Sequence, residues 1–186
     1  MPLSDQRYPE EVIERAQKLK AILFDVDGVL TDGGIIIHSD GTESKRFNVQ
    51  DGLGIYMARK SGLIIGIITG RVSEPTRIRA EELSVDFLSQ GKKDKSKPYE
   101  DFKKEFKLGD EEIGFVGDDL IDLPAMLKCG FRVSVANGRE EVKKKAHYVT
   151  KAHGGSGAAR EVIEFILEHQ GKWQKILNKY YGDSKS

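Results

Sequence analysis

Six short apolar runs, each followed by a segment of helical character, constrain this chain more than any other feature of its sequence. The runs are Ala21–Val26, Leu63–Ile68, Val85–Leu88, Ile113–Val116, Phe131–Val135 and His147–Val149. Their shortness and largely apolar character suit strands buried on both faces. Between them the spacing predicts helices over Leu53–Lys60, Glu74–Glu82, Ser96–Phe106, Leu120–Lys128 and Glu140–Lys145. A closing helix is expected over Gly157–His169 and another over residues 10–20. Alternation of this kind implies right-handed crossovers: an α/β, Rossmann-like three-layer fold with a parallel sheet between helices.

One segment breaks the rhythm. Gly34–Val49 reads as a β-hairpin turning at Ser39-Asp40-Gly41, since Asp-Gly between apolar runs is a strong hairpin signal. The length of 186 residues suits one domain, expected over residues 20–171. Residues 1–19 would add a helical extension, and residues 172–186 a helix and a frayed tail. Lys+Arg and Asp+Glu balance at 30 each, which argues against a general nucleic-acid binder. The single cysteine, Cys129, excludes an intrachain disulfide and a Cys-based zinc site. The amino-terminal stretch does not read as a signal peptide, and no apolar run is long enough to cross a bilayer. A soluble cytoplasmic protein is expected.

Carboxylates gather where two of the strands would end. Asp25 and Asp27, with Asp32 close behind, follow the first run; Asp118, Asp119 and Asp122 follow the fourth. Ligands of open parallel sheets bind just beyond the carboxyl ends of strands. Carboxylates crowded there repel one another and call for a cation, and a hard oxygen donor set favours Mg2+.

Four motifs occur in order: Asp25-x-Asp27-Gly28, Thr69-Gly70-Arg71, Lys95, and Gly117-Asp118-Asp119-x-x-Asp122. Together they resemble the haloacid dehalogenase superfamily of phosphohydrolases. Over about Lys20 to Gly171 the chain is most similar to the 3-deoxy-D-manno-octulosonate 8-phosphate phosphatases. The similarity rests on Asp25–Gly33, Phe47–Gly52, Ile68–Arg71, Gly117–Pro124 and Gly154–Glu161.

The resemblance implies a mechanism. Asp25 would attack phosphorus and carry an aspartyl-phosphate; Asp27 would protonate the leaving alkoxide and then activate water. Thr69 and Lys95 would hold phosphoryl oxygens. Mg2+ would bind Asp25, the Asp27 carbonyl and Asp118, with Asp119 and Asp122 as outer partners. Thr31, Asp51, Gly70, Arg71 and Arg160 would contact the sugar acid. The implied reaction releases phosphate from 3-deoxy-D-manno-octulosonate 8-phosphate, in lipopolysaccharide inner-core synthesis.

Ordinary roles compete with these. Asp-x-Asp in a loop often forms a turn, and Thr69 suits a helix cap. Lys95 lies among Lys92, Lys93 and Lys97 in a run that reads as solvated by default. Asp119 and Asp122 suit a helix amino terminus. Arg160 closes a glycine-rich stretch, Gly154–Gly157, that is either a mobile segment over an anion or a plain loop. The four histidines look ordinary, and Cys129 reads as buried and apolar.

Neither gap between the motifs, Asp27 to Thr69 or Thr69 to Lys95, has room for a cap domain. An open site weakens electrostatic catalysis, so either a macromolecular substrate or a neighbouring subunit would supply the lid, and the resemblance points to the second. The resemblance implies a homotetramer assembled through the hairpins. Two departures stand out: Gln50 where many relatives have Arg, and Val29 where the wider superfamily often has Thr. The subfamily shares the second. A nonulosonate 9-phosphate phosphatase and a non-catalytic assembly module are the rival readings.

Overall fold

All six strand-like runs pair into one parallel sheet. The computed structural model of the protein describes residues 7–182. The chain enters through α1 (Glu10–Lys18) and β1 (Ala21–Phe24), then forms a hairpin of β2 (Ile36–Ile37) and β3 (Glu43–Ser44). It continues through α2 (Val49–Lys60), β4 (Ile64–Ile68), α3 (Glu74–Glu82), β5 (Phe87–Ser89) and α4 (Ser96–Phe106). After β6 (Ile113–Gly117) come α5 (Leu123–Met126), β7 (Phe131–Ser134), α6 (Glu140–Lys143) and β8 (Tyr148–Val149). Helices α7 (Ala158–His169) and α8 (Trp173–Tyr181) follow. Of the tail expected over Gly182–Ser186, all beyond Gly182 lies outside the described residues.

The strand order is β5-β4-β1-β6-β7-β8. From β1 the chain builds outward in one direction, then returns to the other side of β1 with β6. The sheet reverses between β1 and β6, so a crevice opens at their carboxyl ends. Alternate residues of β1 feed two cores: Ile22 and Phe24 face α2 and α7, while Ala21 and Leu23 face α4 and α5. Gly66 of β4 lets the layers meet, because a Cβ there would lie 2.4 Å from Leu23 Cδ2. Burial of each such Ile, Leu or Phe contributes about 1.5–3 kcal/mol. Helix α1 belongs to the same core through Val12 and Ala16. Among the described residues no helix is long and apolar enough to cross a membrane.

Several boundaries differ from the sequence expectation. Helix α2 starts at Val49, not Leu53, because the Asn48 side chain caps it by accepting from the Gln50 amide at 2.7 Å. The hairpin turns where expected, with Gly41 at φ +85° and the His38 amide donating to Thr42 O at 2.8 Å. Its ladder, however, is only Ile36↔Ser44 and Ile37↔Glu43. The helix expected over Leu120–Lys128 is a 3-10 turn, Leu120–Asp122, running into the short α5. Pro124, which has no amide to donate, sits at the start of α5. The two gaps between motifs hold the hairpin with α2, and α3 with β5; neither contains a cap domain.

Candidate active site

Register places the two carboxylate groups side by side. Phe24 of β1 pairs with Val116 of β6, and the Asp25 amide donates to Val116 O at 3.1 Å. Asp25 therefore leaves the sheet next to the strand that delivers Asp118. Carboxylate oxygens of Asp25, Asp118 and Asp122, one from each, lie within 4.8 Å of one another.

Lys95 stands against this cluster. Its ammonium lies 2.6 Å from Asp25 Oδ1 and 2.5 Å from Asp122 Oδ1, with no exposed surface. Lys92 and Lys93 are exposed, and Lys97 is an exposed partner of Asp101. Burial alone would push the Lys95 ammonium down, but Asp25 and Asp122 outweigh it and hold the group above its ordinary value. Asp122 also reaches the backbone, where its Oδ2 accepts from the amides of Asp118 at 2.8 Å and Asp119 at 3.2 Å. It thereby fixes the loop that presents Asp118.

The lysine does not balance the cluster. Burial, with the nearby charge of Asp122, pushes Asp25 up to about 6 against the pull of Lys95. Burial, then Asp122 and Asp25, push Asp118 up to about 8. Asp118 Oδ1 is buried with no hydrogen-bond partner. The other oxygen approaches Gly28 so closely that a Cβ there would lie 2.1 Å away, and Gly28 itself sits at φ +99°. Such a buried set of hard oxygens, with Asp118 Oδ1 left without a donor, fits a small divalent cation.

Asp27, two residues along β1's exit, meets two cations. Lys45, from just beyond β3, forms an ion pair with Asp27 Oδ1. Arg71 Nε lies 3.8 Å from Asp27 Oδ2, and Arg71 also pairs with Glu43 Oε2 at 2.9 Å. Neither Lys45 nor Glu43 stands out in the sequence. The available signal is strand parity, since Glu43, Lys45 and Phe47 alternate onto one face of the hairpin and Phe47 packs on the core. Thr69 is buried at the end of β4, where its amide donates to Ser89 O at 2.9 Å. Gly70 borders the crevice, 3.6 Å from Ile121 Cδ1 measured from the position of a Cβ.

Four expected site residues make contacts within their own loops and helices. Thr31 is buried, and its hydroxyl is used within the loop: it accepts from the amides of Gly28 and Gly33 and donates to Val26 O. Asp51 is buried under α7, its Oδ1 accepting from the Arg160 amide at 2.8 Å. Arg160 pairs with Glu164 and lies 5.6 Å from the Trp173 ring centre, facing α8. Asp119 is exposed and caps its own turn through the Leu120 amide at 2.7 Å. Asp32, from the first acidic group, likewise serves its loop, with Gly34 and Arg46 as partners. The glycine-rich stretch is a buttress and not a free segment: a Cβ on Gly154 would lie 1.7 Å from Gly28 O, and the Gly155 amide donates to Val29 O at 2.9 Å. Cys129 is buried as expected, its thiol pushed up to about 12 by burial.

A family model described as haloacid dehalogenase-like hydrolase matches residues 67–162. The chain belongs to the haloacid dehalogenase-like hydrolases. It is 41% identical over 163 residues to the 3-deoxy-D-manno-octulosonate 8-phosphate phosphatase KdsC of Yersinia pestis, covering 88% of this chain and 87% of that protein. Among solved structures it is similar to the Moraxella catarrhalis 3-deoxy-D-manno-octulosonate 8-phosphate phosphatase in complex with magnesium, phosphate and the sugar acid. That similarity has a TM-score of 0.91 at 40% identity, over 93% of this chain and 99% of that one. The cobalt-bound phosphatase of Haemophilus influenzae superposes with a TM-score of 0.87 at 35% identity, over 92% and 99% of the two chains. The crevice between β1 and β6 is where open parallel sheets of this kind bind ligands.

Proposed function

We propose that this hydrolase is a Mg2+-dependent phosphatase that converts 3-deoxy-D-manno-octulosonate 8-phosphate to the free sugar acid and phosphate. The observation that carries the reading is the buried Lys95 bridging Asp25 and Asp122 beside the unpaired Asp118 oxygen. The relatives' substrate supports the choice of sugar acid.

Asp25, Asp118 and the backbone carbonyl of Asp27 would hold Mg2+. When bound, the ion offsets the repulsion between carboxylate and phosphate and neutralises charge on the phosphoryl oxygens. Asp25 attacks phosphorus in line and takes the phosphoryl group as an acyl phosphate. Asp27 gives its proton to the departing alkoxide, then takes one from the water that hydrolyses the intermediate. Lys95 and Thr69 hold equatorial oxygens, with Asp122 keeping Lys95 in place.

The crevice has no lid of its own. Ile35, Ile36 and Ile37 on the hairpin are 49%, 52% and 69% exposed, and Val72, Leu120 and Ile121 are exposed as well. An apolar surface of this kind supports a homotetramer whose subunits cover one another's sites. We assign the reaction to lipopolysaccharide inner-core synthesis in the cytoplasm.

The test is phosphate release from eight-carbon and nine-carbon sugar-acid phosphates, compared by kcat/KM. Preference for the eight-carbon acid is expected. Preference for the nine-carbon acid would move the assignment to a nonulosonate 9-phosphate phosphatase. No turnover by a folded oligomer would leave an assembly module.

A further inference from the structure

We propose that Lys45 is a positioning residue for the acid–base step, holding the Asp27 carboxyl group toward the leaving group. The inference rests on the reading of Asp27 as the proton donor. Its basis is geometric. The Lys45 side chain is 2% exposed, although lysines are rarely so withdrawn from water without a partner. Its ion-pair partner is Asp27 Oδ1. The other oxygen of Asp27 faces Arg71 Nε at 3.8 Å, and Glu43 holds that guanidinium at 2.9 Å. Lys45 and Glu43 both come from the hairpin. The hairpin thus supplies one cation to the acid directly and steadies the second.

Asp27 needs such a hold. It follows β1 on a loop whose next residue, Gly28, has φ +99°. A carboxylate there, beside a cation site, has other directions to turn. The hairpin in turn has a ladder of only two residue pairs, too little to order itself in water. Ion pairs of Lys45 with Asp27, Arg71 with Glu43 and Arg46 with Asp32, together with Phe47 on the core, seat it. Seating the hairpin and aiming the acid are one interaction.

The test separates aiming from seating by leaving group. A sugar alkoxide needs a proton to depart, whereas p-nitrophenolate does not. Both esters are assayed by kcat/KM, which reports transfer to Asp25. For Lys45→Met, kcat/KM on the sugar-acid phosphate should fall about 10²-fold, the usual worth of general acid catalysis, with little change on p-nitrophenyl phosphate. Lys45→Arg should restore most of the loss. Asp27→Asn should show the same asymmetry, and adding Lys45→Met to it should not increase the asymmetry. Equal losses on both esters in Lys45→Met, with Asp27→Asn still asymmetric, would reduce Lys45 to a seating contact and overturn the proposal alone. Absence of asymmetry in Asp27→Asn would instead overturn the reading of Asp27 on which the proposal stands.

Discussion

Lys95 Nζ lies 2.6 Å from Asp25 Oδ1, and the lysine side chain has no exposed surface. A buried ammonium beside a buried carboxylate is costly to separate, because either charge left alone keeps its desolvation penalty. Here the ammonium also faces Asp122, so its loss strands three acids and not one.

Replacing Lys95 by Met should therefore destabilise the metal-free protein by about 3–5 kcal/mol, the usual cost of breaking a buried pair. Added Mg2+ should return part of that loss, since the cation replaces some of the missing positive charge. Thermal unfolding with and without Mg2+ measures both. A variant as stable as the parent in chelator would show that the acids do not depend on Lys95.

The acid cluster also sets a dependence on pH. Asp118 is pushed up to about 8 by burial, Asp122 and Asp25. A carboxyl raised in the folded state binds more protons folded than unfolded, so stability falls as pH climbs toward the folded value. His147, pushed down to about 4 by burial, acts in the opposite sense up to its ordinary 6.5. From about pH 6.5 to 8 the metal-free protein should lose stability, and saturating Mg2+ should remove the loss because the ion binds the deprotonated cluster. Melting temperatures across that window, in chelator and in Mg2+, give the answer. Flat behaviour in chelator would count against the raised Asp118.

Gly28→Ala should damage metal binding more than folding. Its Cβ would lie 2.1 Å from Asp118 Oδ2, and the φ of +99° disfavours any side chain. Asp118 must move, so Mg2+ affinity should fall at least about 10-fold, equivalent to about 1.4 kcal/mol. Calorimetric titration with Mg2+ provides the comparison. Unchanged affinity would mean that Asp118 is not a ligand.

Much of this architecture is legible in the sequence because buried parallel strands must be short, apolar and punctuated. The carboxylates at the ends of β1 and β6 follow from that frame. The lysine is harder: Lys92, Lys93, Lys95 and Lys97 carry no periodic cue, and only folding shows that Lys95 alone among them is buried. Thr31 and Asp51 are hard to read for a related reason. A hydroxyl or carboxylate near a site looks the same in sequence whether it faces substrate or a backbone amide, and these two face amides. Lys45 gives no signal beyond strand parity, because hairpin lysines are usually solvated and its pairing with Asp27 needs the hairpin folded back over the loop.

Asp51→Ala tests the reassignment of that residue. Loss of its contact with the Arg160 amide should cost about 1–2 kcal/mol, as for other helix amino-terminal caps, with KM for the sugar-acid phosphate nearly unchanged. A large rise in KM without loss of stability would return Asp51 to the substrate.

The proposed subunit contacts through the hairpin make a further expectation. Ile36→Asp together with Ile37→Asp should convert the oligomer to smaller species in sedimentation, since both side chains are more than half exposed in the single chain. Turnover of the sugar-acid phosphate should fall while Mg2+ affinity holds. An unaltered oligomer would place the interface elsewhere.

The most direct measurement is phosphate release from 3-deoxy-D-manno-octulosonate 8-phosphate by the wild type and by Asp25→Asn, each in Mg2+ and in chelator. The account predicts turnover only for the wild type with Mg2+. Comparable turnover by Asp25→Asn, or by the wild type in chelator, would contradict it.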